Sequence, residues 1–512
     1  GTIHLRNGEE DYAFRAYVEA LRIYRLEQEE NLSVASILFN LGQIYKKRKE
    51  YDKAFESFAQ CLRIRKSELA DEELEIGEAF EQVGSIYAVL KKNMEAMKFY
   101  QKALDIYEKT VGKESVPFAR VLLEVANGFM EQDKYDEALN QFQQCLTIFK
   151  KEIEEDSDEV AEVLVRIGVI HNKRVDYEEA LKFLTKAVKI RTNIFGRDSD
   201  KVSATLFEIG NVLEEWGDSD EAIETYNEVS RITRMNYGPR HIMIAKVHKR
   251  LGSIHAERED FDLALRALDE ALLIEREELG DDAVEVGHTI MKTAGIHDSR
   301  SKFDASLVAY SDALRIFRKN LGDEDVAVAL ALNNMGINHA RRKNYQKAID
   351  LCSEALRIRK LTLGDQHLDI ADSCLNIANI LDEWGKADQA MKFYKEALDL
   401  YRSKLGEDDL EVANCLQHIG CIHVNKNEHD QAISCFVESI RIFKAKKGGD
   451  CLDVASALFN LGRIYGKRSE YERALACFSE CLRIRTAELG TDNLDVVAVH
   501  RYIDAIKRKM RR

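Results

Sequence analysis

A small residue recurs at one phase of a 42-residue period for eleven repeats: Gly42, Gly84, Ala126, Gly168, Gly210, Gly252, Ala294, Gly336, Ala378, Gly420 and Gly462. Twelve residues after each stands a second small side chain, Ala everywhere except at Ser306 of the seventh repeat. A period between about 20 and 50 residues marks pieces too small to bury a core alone, which become stable by covering one another's apolar faces. Length alone, 512 residues, would suggest about three or four globular domains. The repeat replaces that expectation with a stack.

The pattern inside one repeat says what is stacked. In the eleventh, Val454, Leu458, Leu461, Ile464 and Tyr465 form a stripe of helical spacing. After a break at Arg468-Ser469-Glu470, the set Tyr471, Ala474, Leu475, Phe478, Cys481, Leu482 and Ile484 forms a wider one. Each repeat therefore reads helix, turn, helix, and the expected fold class is an all-α solenoid. The position of Ile484 is Ile in ten repeats and Leu400 in the other, which makes it core. Nine repeats carry Asp or Glu at the position of Asp52, in the first turn of the second helix, where the helix dipole favours negative charge. Nine also place Gly at the position of Gly490, where a left-handed residue is expected to end that helix; Ala70 and Glu154 are the exceptions. The two prolines, Pro117 and Pro239, fall in the linkers between repeats.

Composition narrows the function. A formal net charge of -15 argues against a surface built to neutralise phosphate backbones, so nucleic acid is not an expected partner. No stretch approaches the length of a membrane-spanning helix, so no membrane association is expected. The ten cysteines lack metal-knuckle spacing, and Cys61, Cys145 and Cys481 share a repeat position that mostly holds Ala elsewhere. They read as small buried side chains in a reducing, cytoplasmic setting. His171, His255, His297, His339 and His423 occupy the position of Tyr45, Tyr87 and Tyr465 and read as aromatic spacers. Packed helices lie about 10 Å apart, far beyond the ~2 Å bonds that would let neighbouring repeats share a metal. The acid-rich linkers at 322–325 and 406–409 lack the ligand spacing of a calcium loop and are expected to be solvated connections. Trp216 and Trp384, each followed by Gly, are expected to cover a turn. No phosphate-binding glycine loop or nucleophile-base arrangement stands out, so no catalytic residue, cofactor or metal is expected.

The succession apolar-x-x-Leu-Gly-x-Ile-Tyr, then Ala and an aromatic four residues on, resembles the tetratricopeptide repeat. The 42-residue period, and above all LNNMGINHARRKNYQKAIDLCSEALRIRKLTLG at 332–364, is similar to the kinesin light chain type. The resemblance implies a right-handed superhelix whose first helices line a concave groove, with positions -3, -2, +1 and +5 from the small residue facing it. Asn40, Asn333, Asn334, Asn376 and Asn460 lie just before that residue, and Asn127, Asn211 and Asn379 just after it. Asn joins a donor to an acceptor, so a row of them can hold the backbone of an extended peptide. Lys47, Arg166, Lys173, Arg250, Arg341, Arg463 and Lys467 add basic patches, whereas Glu208, Glu214, Glu215, Asp382 and Glu383 make repeats five and nine acidic.

The resemblance thus implies a non-catalytic scaffold binding protein or peptide partners, with acidic segments around an apolar anchor favoured near repeats eight and eleven. Kinesin heavy chain is an implied partner, through a region absent from this sequence. The alternative is a sensor or autoregulatory array whose catalytic domain lies further N-terminal. Gly1 falls in the phase of Gly42, so residues 1–27 are expected to be a truncated repeat and the chain a fragment. Residues 28–491 then hold the eleven full repeats. In 492–512, Val496, Val499, Ile503, Ile506 and Met510 form a stripe while Asp504 takes the glycine position, as expected of a capping helix.

Overall fold

The structure, a computed structural model, describes residues 10–26, 30–70 and 73–511. The expected mid-repeat beginning of the chain falls on residues 1–9, outside the described residues. Among the described residues there are twenty-four α-helices and no strand. In every repeat the first helix starts ten residues before the small residue and the second starts nine residues after it, as in Leu32–Lys47 and Tyr51–Glu68 around Gly42, or Val326–Arg341 and Tyr345–Leu363 around Gly336. Several first helices have their orphan N–H groups capped by the preceding side chain: Asn31 accepts from Ser33 and Val34, Ser157 from Val160, and Asp325 from Ala327.

The turn between paired helices holds one left-handed residue at the same place in all eleven repeats, among them Lys49, Val175, Lys343 and Gly217, with φ of 61°, 62°, 62° and 90°. The next N–H closes back on the first helix, Glu50 to the Tyr45 carbonyl at 2.9 Å and Asn344 to that of His339 at 2.9 Å, the 6→1 bond of a Schellman ending. The left-handed cap therefore sits after the first helix. The glycines that end the second helices differ from the sequence expectation. Gly322, with φ 89° and ψ 173°, has a positive φ but an extended ψ, a region that only glycine enters cheaply.

Close approach explains the 42-residue series. A Cβ on Gly42 would stand 2.6 Å from the Phe58 ring, and one on Gly462 would stand 2.7 Å from the Phe478 ring. The small residue lets the second helix lay its largest side chain flat on the first. The second small position is fully buried, from Ala54 to Ala474.

The chain divides into two compact units, Gly1–Val247 and His248–Arg512. Within each, a second helix packs on the first helix of its own repeat and on that of the next: Tyr51–Glu68 on Leu32–Lys47 and Leu74–Val89, and Tyr345–Leu363 on Val326–Arg341 and Leu368–Glu383. Phe58, Tyr107, Phe142 and Phe149 are buried in the first unit, and Phe317, Tyr394, Phe436 and Phe478 in the second. Leu494–Met510 packs on Tyr471–Leu489 and buries Val496, Val499, Ile503 and Ile506.

Two sets of ion pairs repeat along the stack. Asp136, Asp262 and Asp304, at the Asp52 position, pair with Arg174, Arg300 and Arg342 of the following repeat at 2.8, 2.6 and 2.9 Å. These acids therefore fasten neighbours as well as favouring the helix dipole. The linker acids are not merely solvated connections: Glu324 pairs with Arg357 at 3.3 Å and Asp408 with Arg441. Both acids stay exposed, so each tie adds little stability and serves mainly to fix the linker's path.

Candidate functional site

Five of the expected groove residues belong to the first compact unit. Asn40 donates to the Ser36 carbonyl of its own helix at 2.8 Å, and exposed Lys47 reaches Glu10 at 3.4 Å. Asn127 is half-buried and its Oδ1 has no hydrogen-bond partner among the described residues. Arg166 pairs with Glu162 at 2.8 Å. Asn211 donates to Glu208 at 3.1 Å and accepts from Tyr226 Oη at 2.8 Å. On the neighbouring turns of these first helices, Glu81, Arg120, Glu124, Glu162 and Lys201 line one open groove of about 690 Å³ across repeats two to five.

The other nine belong to the second unit, where four asparagines meet on consecutive first helices, Val326–Arg341 and Leu368–Glu383. Asn333 is buried and accepts from Asn376 Nδ2 at 3.4 Å. Asn334, one residue on, is half-buried and makes no hydrogen bond among the described residues. Asn379 accepts from Tyr394 Oη at 2.6 Å. Arg341 is half exposed and 3.9 Å from Asp298, whose other oxygen accepts from buried Asn338 at 2.6 Å. Further along, Asn460 donates to Cys421 Sγ at 3.7 Å and accepts from Arg463 at 3.5 Å, while Lys467 is exposed. Arg250 is half-buried on Ile242–Glu257.

The amides are thus mostly held by neighbours on their own or the adjoining helix, which fixes their orientation. Lys47, Arg341 and Lys467 are exposed, and Asn334 is half-buried without a hydrogen bond among the described residues. Sequence reasoning passed over Asp298 and Asn338, which set the direction of Arg341. It also passed over a charged core position twenty-three residues after the small residue. There Arg191 lies buried on Asp158, Glu162 and Thr205 at 3.1, 2.5 and 2.8 Å. Arg359 donates to the Asp369 carbonyl at 3.1 Å and Ser373 Oγ at 2.7 Å. Glu275 is inverted in sign and accepts from Lys249 at 2.5 Å and Thr289 at 2.6 Å. The available signal was the hydroxyl that faces each of these three from the next first helix.

The histidines sit between helices. His171 Nδ1 lies 3.0 Å from Asp176 and His423 Nδ1 2.5 Å from Glu428, whereas Nδ1 of His255, His297 and His339 is buried without a hydrogen-bond partner among the described residues. Burial holds His297 and His339 below the usual histidine range. Among the described residues no group of three or more His, Cys, Asp or Glu is placed to hold a metal, and no helix is long and apolar enough to cross a membrane. Cys61, Cys145 and Cys481 are buried, and burial pushes the Cys145 thiol up to about 12. Trp216 stacks on Tyr177 at 6.2 Å and Trp384 on Tyr345 at 6.1 Å, with Lys386 Nζ 3.3 Å above the Trp384 ring. Each covers the turn of the preceding repeat, at the place where Arg174 and Arg342 make their ion pairs.

The tetratricopeptide repeat model matches residues 1–67, 75–151, 159–235, 243–319, 327–403, 389–445 and 413–487. The chain belongs to the tetratricopeptide repeat family. Among solved structures, this tetratricopeptide repeat protein is similar to BtubC (BKLC) from P. vanneervenii, at 22% identity over 45% of this chain and 92% of that one, with a TM-score of 0.39. It is also similar to a kinesin light chain candidate of Podosopora anserina with nearly identical TPR-like repeats, at 18% identity over 41% of this chain and 99% of that one, with a TM-score of 0.36. No curated protein matches it significantly. Tandem tetratricopeptide repeats along the whole chain make it a protein-interaction scaffold.

Proposed function

We propose that the chain is a non-catalytic, kinesin light chain-like adaptor of the cytoplasm that holds a segment of a partner protein on the first helices of repeats eight to eleven. The observation that carries this reading is the asparagine cluster. Asn376 and Asn333 are bonded to each other, Asn379 is oriented by Tyr394, and Asn334 beside them has its donor and acceptor uncommitted. An amide with both capacities unspent can bond a peptide group of an extended segment whatever its side chains. Arg341 on the first helix of repeat eight and Arg463 and Lys467 on that of repeat eleven stand to either side of the acidic Asp382 and Glu383 of repeat nine, so acidic residues flanking an apolar anchor complement the two ends of this stretch and set its register. A kinesin heavy chain would join through sequence outside this chain.

Random-peptide display on the chain tests the reading. Enrichment of segments with acidic residues beside an aromatic or aliphatic anchor is expected, and is lost on a double Asn334→Ala, Arg341→Glu variant. Identical enrichment on both proteins moves the site elsewhere.

A further inference from the structure

In two repeats a tyrosine hydroxyl reaches an asparagine oxygen: Tyr226 Oη shares its proton between Asn211 Oδ1 at 2.8 Å and Glu214 Oε2 at 2.7 Å, and Tyr394 Oη donates to Asn379 Oδ1 at 2.6 Å. The tyrosine stands sixteen residues, and the asparagine one residue, after the small residue of the series. Repeats two and three split this pair between them. Repeat two keeps Tyr100 but has Ser85 in place of the asparagine, and Ser85 Oγ is taken by Lys46 Nζ at 2.7 Å. Repeat three keeps Asn127 but has Phe142, which carries no hydroxyl. As a result Tyr100 Oη and Asn127 Oδ1 are both buried with no hydrogen-bond partner among the described residues. Tyr100 as a whole is 2% exposed. Buried polar atoms are seldom left unpaired without a reason.

Both orphans line one cavity of about 240 Å³, together with Met97, Met130, Glu124, Glu131 and Arg166. Gly128 helps to form it, since a Cβ there would stand 2.8 Å from Met97 Sδ. Of the cations here, Arg166 pairs with Glu162 at 2.8 Å, while Lys46 donates to Ser85 at 2.7 Å and its charge also acts on Glu124. Glu124 has no hydrogen bond or ion pair among the described residues, and Glu131 accepts only from Asn93. The cavity therefore sets two carboxylates, Glu124 and Glu131, against the one guanidinium of Arg166, and two methionines line it.

We propose that this cavity is a pocket for an arginine side chain presented by a bound protein segment. Its methylene stem would lie along Met97 and Met130, and its guanidinium would donate to Asn127 Oδ1 and the Glu124 carboxylate. A guanidinium has five donors and no acceptor, which is what an acceptor-rich cavity demands. Asn127 and Glu124 stand at +1 and -2 from Ala126, so the pocket's use rests on the first-helix face being the docking surface. Its chemistry can be tested without any docked segment.

The chain has nine methionines, and 13C-methyl labelling makes Met97 and Met130 reporters in NMR. Titration with N-acetyl-L-arginine amide is expected to shift these two methyl signals saturably while the remaining methionines stay put. N-acetyl-L-glutamine amide is expected to have no effect, and Asn127→Leu to abolish the response to arginine. Should that variant fold poorly, Glu124→Gln, at a half-buried position, is expected to weaken the response at least several-fold. Absence of a saturable shift, as from a cavity that holds only water, would overturn the proposal, and so would an equal response to the glutamine probe. Either result leaves the reading of repeats eight to eleven untouched.

Discussion

Gly210 lies flat against the ring of Tyr226: a Cβ on the glycine would come within 2.6 Å of the tyrosine Cε1. That approach carries the phenol across the first helix to Asn211, the next residue, where it donates at 2.8 Å. One missing methyl group thus sets both the packing of the helix pair and the direction of an amide on the candidate binding face.

Gly210→Ala follows from this contact. Helix propensity favours Ala by about 1 kcal/mol, but overpacking a fixed aromatic costs about 1–3 kcal/mol. A net loss of ~1 kcal/mol is expected, read as a lower unfolding midpoint in denaturant. A raised midpoint would mean that the Tyr226 ring yields freely and that the series has another cause.

Val175 holds the left-handed turn position with φ 62° and is 68% exposed. A β-branched residue is poorly suited to that region, whereas Asn tolerates it, and Asn427 occupies the equivalent turn with φ 59°. Val175→Asn should therefore stabilise the chain by ~1 kcal/mol, because little packing is lost. Thermal unfolding of the two proteins decides it, and a lower midpoint for the variant counts against strain at Val175.

The buried guanidinium of Arg359 depends on Ser373 Oγ at 2.7 Å. Ser373→Ala leaves one donor of a buried charge short of its acceptor and is expected to cost about 1–3 kcal/mol. The chain itself shows the remedy, since Phe317 and Ala331 occupy the same two positions one repeat earlier. The double variant Arg359→Phe, Ser373→Ala should recover most of the loss. If both variants unfold alike, the hydroxyl is not what supports the charge.

Burial lowers the pKa of His297 and His339 relative to the usual 6.5. The unfolded chain then takes up protons first as pH falls. The stability these residues contribute is complete above the unfolded value and is lost as pH drops below it toward the folded one. Unfolding midpoints measured from roughly pH 7 to 5 should decline, and more shallowly in a His297→Phe, His339→Phe variant, which places an aromatic where Tyr45 and Tyr465 stand. Equal slopes would show that other groups carry the acid sensitivity.

How much of this was legible depends on how sharply each position is constrained. Gly42 against Phe58 excludes nearly every other side chain, so the 42-residue period announces itself. The turn at Lys49, Val175 and Ser469 is left-handed without glycine, and its residue types give no warning. The tie of Asp408 to Arg441 spans a whole helix, a distance at which one sequence offers no pairing signal. On the candidate face, Asn333 and Asn334 look alike in sequence. Yet the roughly 100° between consecutive helical residues buries one and opens the other, and only the packed neighbours decide which.

The central claim is that partners are held by the first-helix face of repeats eight to eleven. Its most direct test is affinity capture with the full chain as bait beside the Asn334→Ala, Arg341→Glu variant, with matched unfolding midpoints and partners quantified by mass spectrometry. Partners held by the parent chain are expected to be lost from the variant. The same partners captured in equal yield by both would contradict it.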